Sequence, residues 1–148
     1  MIDREKISGE FALIKNIFSP LTRHADGALN LTDDAALFDI SPEQQMVVTT
    51  DTLISGVHFH INDPPNMVAR KALRVSLSDL AAMGATPVGF LQALILNSKV
   101  NDAYLESFAA GLDLDINHFR APLLGGDTTV SSGPFSVTIT ALGTVDKG

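Results

Sequence analysis

The architecture follows from the stretch NMVARKALRVSLSDLAAMGATPVGFLQALILN, residues 66–97. Residues 66–85 place apolar side chains at steps of three and four, which stack on one face of a helix. Gly84 is a suitable helix terminator. Residues 87–97 form a strand-sized apolar run and predict a central strand. The expected buried face comprises Val68, Ala72, Val75, Asp79, Ala82 and Met83. Because Leu77, Leu80 and Ala81 make the other side apolar too, we expect the second half of the helix to be buried nearly all round.

Elements on both sides of this stretch alternate between helical and extended patterns. Such an order favours an α+β fold, with helices covering a mixed, largely antiparallel sheet. The patterns predict further helices at 10–18 and 102–119, a turn or loop at 22–30, and strands at 35–40, 46–50, 122–124 and 135–145.

The composition excludes several classes of protein. The chain has 148 residues, 45% of them hydrophobic, which suffices for one domain with a core. A net charge of -7 argues against nucleic acid or an anionic membrane as partner. Because cysteine is absent, disulfides, thiolate zinc sites, iron–sulfur clusters and a cysteine nucleophile are excluded. With no signal-like N-terminus and no span-length apolar segment, we expect a cytoplasmic protein.

Aspartates recur inside short blocks that are otherwise nearly free of charge. An ionised carboxylate in such surroundings needs a partner or a metal, and the chain has only 10 Lys and Arg residues. Hard cations take oxygen ligands. The sequence therefore predicts a magnesium site for a phosphorylated substrate, built from Asp33 or Asp34 (block 32–36), Asp51 (49–52), Asp79 (77–84) and Asp127 (125–129).

Each block also has a purely structural interpretation. Asp79 lies in mid-helix, where aspartate is a poor helix former, yet Ser76 or a loop backbone could bond it. Asp127 follows two glycines, a pattern more often typical of a turn when it stands alone. Thr49, Thr50 and Asp51 offer oxygen ligands or an ordinary strand end. Adjacent carboxylates of one strand point to opposite faces, so at most one of Asp33 and Asp34 shares the site.

The histidines and the missing motifs argue against a zinc site, the common phosphate-binding loops and a serine nucleophile. His58 and His60 lie two apart, but no third histidine or cysteine completes a zinc site. The more useful functional interpretation of His58 is therefore a single histidine close to a phosphate. The chain contains no G-x-x-x-x-G-K-[ST] loop, G-x-G-x-x-G turn or G-x-S-x-G elbow. We assign no catalytic nucleophile or general base.

Taken in order, these blocks resemble the N-terminal domain of the thiamine-monophosphate kinase family. That family lies within the superfamily of aminoimidazole ribonucleotide synthetase and selenophosphate synthetase. One departure is Thr32, where the family usually has glycine. The segments that carry the resemblance are GEFALI (9–14), DDAA (33–36), TDTL (50–53), GVHF (56–59), KAL (71–73), LSDLAAMGA (77–85) and GGDTT (125–129).

The resemblance implies ATP-dependent phosphorylation of thiamine monophosphate to thiamine diphosphate, mediated by Mg²⁺. It implies that His58 contacts the substrate, that Gly126 and Asp127 lie against the nucleotide, and that the protein is a homodimer formed through its sheet. Residues 1–148 would form a single ATP- and Mg-binding domain, inactive or nearly so without the family's C-terminal domain. The implied metal ligands are Asp34 (or Asp33), Thr49, Thr50, Asp51, Asp79 and Asp127.

Two alternatives remain open. The first is another ATP-cleaving member of the superfamily, which the GVHF block disfavours. The absence of cysteine further disfavours selenophosphate synthetase. The second is a non-catalytic module for nucleotide binding or dimerisation, against which the retention of all four aspartate blocks argues.

Overall fold

The computed structural model describes residues 9–148, which form a four-stranded sheet in the order β1-β4-β2-β3. Strand β4 lies antiparallel to β1 and β2, whereas β2 and β3 are parallel. The mixed, largely antiparallel α+β fold is confirmed. The elements are α1 (Glu10–Leu13), β1 (Gln44–Ile54), α2 (Pro65–Ala82), β2 (Thr86–Leu96), α3 (Asp102–Phe119), β3 (Leu123–Val130) and β4 (Ser136–Asp146).

Helices α2 and α3 cover one face of the sheet, and the core lies between them and the strands. Because side chains alternate along a strand, every second residue of β2 and β4 faces this core. The opposite face of the sheet, called the open face below, exposes alternate residues such as Val48, Leu91 and Ile95. The buried residues of β2 and β4 include Phe90, Gln92, Leu94, Leu96, Val137, Ile139 and Ala141.

A buried carboxylate joins the two covering helices. Asp115 of α3 is 1% exposed and accepts hydrogen bonds from Arg74 at 2.6 and 2.8 Å and from Arg70 at 3.3 Å. The hydrogen bond from Arg74 raises the pKa of its guanidinium above the ordinary value. Two cations satisfy the buried charge, so Asp115 needs no metal.

Among residues 9–148, none of the helices combines the length and apolarity that crossing a membrane requires.

Helix α2 begins at Pro65, within one residue of the expected start, but its buried face differs from the expected one. Val68 and Ala72 are buried as expected, whereas Val75, Asp79 and Met83 are exposed. A second apolar stripe at neighbouring steps of three and four competes with the expected one, and it is this stripe that faces the sheet. The apolar residues of that stripe are Ala69, Leu73, Leu77 and Leu80, and the buried Ser76 lies beside them.

Other segments also differ from expectation. Residues 35–40 form no strand; the backbone of Leu37 bonds instead to Gly27. Residues 22–30, expected as a turn or loop, include part of a 3-10 helix, Asp26–Leu31. The expected helix 10–18 is α1 continued by a π-helical turn, Ile14–Phe18. Strand β3 is longer than predicted, because the glycines let it pack closely on β2 and continue through Asp127.

Candidate metal and nucleotide site

Strand β1 and helix α2 meet along a polar line, called the β1–α2 seam, formed by Thr49, Asp51, Ser76 and Asp79. Thr49 and Asp51 are two apart and therefore point to the same, helix-covered side of the sheet. The Thr49 hydroxyl donates to the Asp79 carboxylate at 2.7 Å. The Ser76 hydroxyl donates to the Asp51 carboxylate at 3.3 Å. The fold thus brings two predicted aspartates and one predicted threonine together.

The seam offers only oxygen atoms: two carboxylates and two hydroxyls. Among the described residues, no Lys or Arg side chain bonds either carboxylate, and Asp79 is exposed. Magnesium in phosphate-transfer sites is usually held by one or two carboxylates, together with waters and substrate phosphates, rather than by an all-protein cage. The donor set of the seam suits such an ion.

Thr50 lies on the other face of the sheet from Thr49 and Asp51. Its hydroxyl shares a 3.0 Å hydrogen bond with the Thr140 hydroxyl of β4. One pair further along, Thr52 and Thr138 share a 2.8 Å hydrogen bond. Neighbouring strands thus form a threonine ladder on the open face.

Asp127 also lies on the open face, in strand β3 opposite Ala93 of β2. It lines a cavity of about 710 Å³ together with Gly126, Asp33 and Asp34. The cavity is lined further by apolar residues of the N-terminal segment and of the sheet, including Phe18, Leu31, Phe38, Leu91 and Leu142. Gly126 and Asp127 are therefore near the first pair of aspartates, but not near the seam.

The four aspartate blocks do not converge within one chain. Two strands, β4 and β2, separate β1 from β3, and the carboxylates of Asp51 and Asp127 belong to opposite faces. Within residues 9–148, no three His, Cys, Asp or Glu side chains lie close enough to hold a metal ion. The expectation of a single pocket was wrong for one chain, because convergence depends on strand order and on the face of each residue. The metal-binding roles themselves stay predictions.

His58 lies in the loop 55–63 that follows β1. Its Nδ1 accepts a 3.0 Å hydrogen bond from the backbone N–H of Ile54, and its carbonyl accepts one from the Lys71 ammonium. Because Nδ1 is an acceptor, a neutral imidazole carries its proton on Nε2. His60 is exposed, and its backbone N–H bonds Asp63. The loop therefore presents His58 as a hydrogen-bond donor.

Sequence reasoning quoted Lys71 only as part of the KAL segment and assigned it no role, and it missed the threonines of β4. Lys71 lies eight residues before Asp79, so it falls close to the same side of α2. Thr138 and Thr140 alternate in β4 as Thr50 and Thr52 do in β1, and that shared period was a usable signal. Ser76 was considered as a partner of Asp79, but it bonds Asp51 instead.

Comparisons with known proteins give one consistent result. Residues 32–145 match the family model described as AIR synthase related protein, N-terminal domain. The thiamine-monophosphate kinase of Caulobacter vibrioides is 44% identical over 139 residues, covering 94% of this chain and 40% of the relative. The chain thus spans about two fifths of that relative's length.

Solved structures agree with the sequence matches. The thiamine-monophosphate kinase structure from Stenotrophomonas maltophilia K279a superposes with a TM-score of 0.81 at 42% identity, over 95% of this chain and 43% of that one. A structure titled AaThiL complexed with AMPPCP and TMP superposes with a TM-score of 0.69 at 29% identity, over 94% of this chain and 43% of that one.

Proposed function

We propose, because this chain belongs to the family of AIR synthase related proteins through their N-terminal domain, that it is the ATP- and Mg²⁺-binding part of a thiamine-monophosphate kinase. The relatives it matches over 94% of its length carry that name, and one neighbouring structure holds AMPPCP and TMP. In the proposed reaction, a phosphate oxygen of thiamine monophosphate forms a bond to the γ-phosphorus of ATP. The bond to the β-phosphate breaks, giving thiamine diphosphate and ADP.

The observation that carries this proposal is the oxygen-only β1–α2 seam. Phosphoryl transfer needs positioning and charge neutralisation more than covalent chemistry by the protein. Bound Mg²⁺ would neutralise the phosphates and hold them in line. Gly126 and Asp127 would lie against the nucleotide. The residues proposed to hold the metal are Asp34, with Asp33 as the alternative, Thr49, Thr50, Asp51, Asp79 and Asp127.

The attacking oxygen needs no general base, because a phosphate oxygen of the acceptor is already ionised at neutral pH. His58 presents a hydrogen-bond donor and is therefore suited to bind an acceptor atom of the substrate rather than to remove a proton. The remaining tasks of the chain are to bind and orient two phosphorylated molecules. A chain that only binds and orients its substrates needs no nucleophile, which agrees with the absence of a nucleophile turn in the sequence.

A homodimer would resolve the separation of the aspartate blocks. The outer edges of β1 and β3 have no strand partner among the described residues, and the open face exposes apolar side chains including Val48 and Leu91. Pairing β1 of one copy with β3 of another would close the two sheets into a barrel and remove both edges. Asp127 of one copy would then approach strand β1 of the other at Thr50, which lies on the same open face and next to Asp51 in the chain. The proposed site is therefore shared between two copies.

The metal site is tested by calorimetric titration of ATP with and without Mg²⁺. We expect Mg²⁺-dependent binding that Asp51→Ala and Asp79→Ala abolish while each variant still unfolds in one cooperative thermal transition, shifted only by the loss of one hydrogen bond. The matched control is Asp39→Ala, since Asp39 is exposed and outside the seam. ATP binding that is indifferent to Mg²⁺, or that survives both variants, contradicts the proposal.

Whether two copies share the site is tested by mixing two variants that should each fail to bind ATP. Asp51→Ala and Asp127→Ala chains, unfolded and refolded together, form heterodimers in which one site has both carboxylates intact. We expect about a quarter of the wild-type ATP-binding capacity, because half of random dimers are mixed and each keeps one site. If both carboxylates belonged to one chain's site, the mixture would bind no more than either variant.

Two further measurements address the alternatives. Residues 1–148 alone should bind ATP without forming thiamine diphosphate, because more than half of the length of the relatives lies outside the match. Measurable formation of thiamine diphosphate would refute this point.

Titrating the chain with thiamine monophosphate and with phosphorylated purine precursors separates the kinase from another ATP-cleaving member of the superfamily. Selective binding of the purine precursors would favour the latter.

A further inference from the structure

The loop 55–63 is attached to the rest of the chain on several sides. The Ser55 N–H bonds the Phe135 carbonyl at 2.9 Å, and the Gly56 N–H bonds the Phe59 carbonyl at 2.8 Å. The Phe59 ring is buried and makes an edge contact with the Phe135 ring at 6.2 Å. The start of the loop therefore has a fixed path, and His58 lies within that start.

His58 itself is bound through both its backbone and its ring. Its N–H donates to the Ile54 carbonyl at 2.9 Å, and the Ile54 N–H donates to the imidazole Nδ1 at 3.0 Å. Its carbonyl accepts from the Lys71 ammonium. Among the described residues, Nε2 has no hydrogen-bond partner. The only imidazole group left free for a ligand is thus the Nε2–H donor.

We infer that Lys71 is a positioning residue: by bonding the His58 carbonyl, its ammonium holds the imidazole as an Nε2–H donor for a phosphate oxygen of the substrate. Lys71 belongs to α2, the helix that carries Ser76 and Asp79, so the same rigid element fixes both the seam and His58. The choice of ligand group rests on the proposed function; the hold of Lys71 on His58 does not. The recognised group is an anionic oxygen acceptor.

The distance along α2 agrees with this role. Lys71 and Asp79 are eight residues apart, which corresponds to about 12 Å along a helix. The Lys71 ammonium and the His58 donor therefore lie at one end of this side of the molecule, and the carboxylates of Asp51 and Asp79 lie at the other. A substrate phosphate bonded by His58 would meet favourable charge from Lys71, while a metal held by the seam lies further along the same helix.

The test uses ¹⁵N NMR of the imidazole nitrogens in the 148-residue chain. We expect wild-type His58 to show the Nε2-protonated tautomer alone. In Lys71→Met a mixture of both tautomers should appear, and Lys71→Arg, which restores a donor, should return the single form. Lys99→Met removes an equal charge from an exposed loop and should change nothing. Amide spectra establish that each variant is folded.

The second readout is titration with thiamine monophosphate in the presence of Mg²⁺ and ATP. We expect the ligand to shift the Nε2 resonance, with affinity lowered about tenfold in Lys71→Met and recovered in Lys71→Arg. An Nδ1-protonated His58 in the wild type, or an unchanged tautomer and affinity in Lys71→Met, overturns the inference. If the tautomer depends on Lys71 but the ligand leaves Nε2 unshifted, the positioning role holds and the proposed substrate contact fails.

Discussion

The carboxylates on the two faces of the sheet differ in whether side chains of the same chain donate hydrogen bonds to them. On the helix-covered side, Asp51 and Asp79 each accept a hydroxyl hydrogen bond from a neighbouring element, which fixes their positions in the seam. On the open face, Asp127 and Asp34 line a wide cavity and have no side-chain donor among the described residues. One set is oriented by its own chain, whereas the other is left to be oriented by a ligand or a second copy.

This difference agrees with the proposal that one chain supplies only part of the site. Hydrogen-bonded groups are positioned before any ligand arrives, which lowers the cost of binding. In the proposed dimer, the carboxylates of the open face would be positioned by the second copy and by bound phosphates. Variants that affect one face and spare the other therefore test the proposed division.

The largest effect is expected from Gly126→Ala in β3. A Cβ at this position would overlap the backbone carbonyl of Gln92, which cannot move without breaking the β2–β3 pairing. We expect the free energy of unfolding to fall by at least about 3 kcal/mol. In Gly125→Ala the new Cβ would meet only the Leu91 side chain at 3.4 Å, an ordinary contact. Chemical denaturation should show Gly125→Ala within about 0.5 kcal/mol of the wild type.

If the two glycine variants lose equal stability, backbone approach is not the reason for Gly126. If both are neutral, β3 does not pack on β2 as described, and the placement of Asp127 on the open face fails with it.

The next effect concerns the open face alone. Val48→Lys places a charge on the open face of the edge strand β1, within the surface proposed for dimerisation, where Val48 is 56% exposed. We expect sedimentation to show a monomer, with dimer affinity reduced at least about 100-fold and the fold of the chain retained. Leu114→Lys, at a position 58% exposed on α3, is the matched control and should remain dimeric. A monomeric wild type, or a dimeric Val48→Lys, would refute association through this face.

Local patterns in the sequence predicted most of the elements. Helix α3 has the predicted bounds, Asp102–Phe119, because Asn101 caps its first turn by accepting from the Tyr104 N–H at 2.9 Å. Helix α2 begins at Pro65, a residue suited to the first helical turn. Periodicity and capping are local, so they can be read without knowing the fold.

The assembly of the site could not be predicted in the same way. Asp79 was expected on a buried stripe, but α2 has two apolar stripes, and only packing on the sheet selects between them. The GGD segment has the composition of a turn, yet β3 continues through it because its glycines allow close approach to β2. Whether Asp51 and Asp127 meet depends on strand order, which arises from long-range pairing rather than from spacing along the chain.

A smaller effect separates the hydroxyls of the two faces. Thr49→Val removes the donor to Asp79 in the seam, and Thr52→Val removes the bond to Thr138 on the open face. Each should cost about 1 kcal/mol of stability or less, because one hydrogen bond is lost in each case. Only Thr49→Val should weaken Mg²⁺-dependent ATP binding, by several-fold in calorimetric titrations. Equal weakening in both variants would mean that the seam has no special role.

The smallest effect comes from Tyr104, which lies on the helix-covered side with its ring 5.3 Å from that of Phe135. Burial raises the pKa of Tyr104 to about 12 from the ordinary 10.0. The folded state therefore favours the neutral phenol: the associated stability is present below about pH 10 and is lost as pH rises through 12. Since the side chain is only partly buried, we expect the loss at pH 11 to stay below about 1 kcal/mol.

Tyr104 is the one tyrosine of the chain, so ultraviolet absorbance reports its titration directly. In Tyr104→Phe the alkaline loss of stability should shrink by that amount, while the Val48→Lys variant should titrate like the wild type. An ordinary pKa for Tyr104 would mean that the helix-covered side admits water as freely as the open face does. The seam carboxylates would then differ from those of the open face only through their hydroxyl hydrogen bonds.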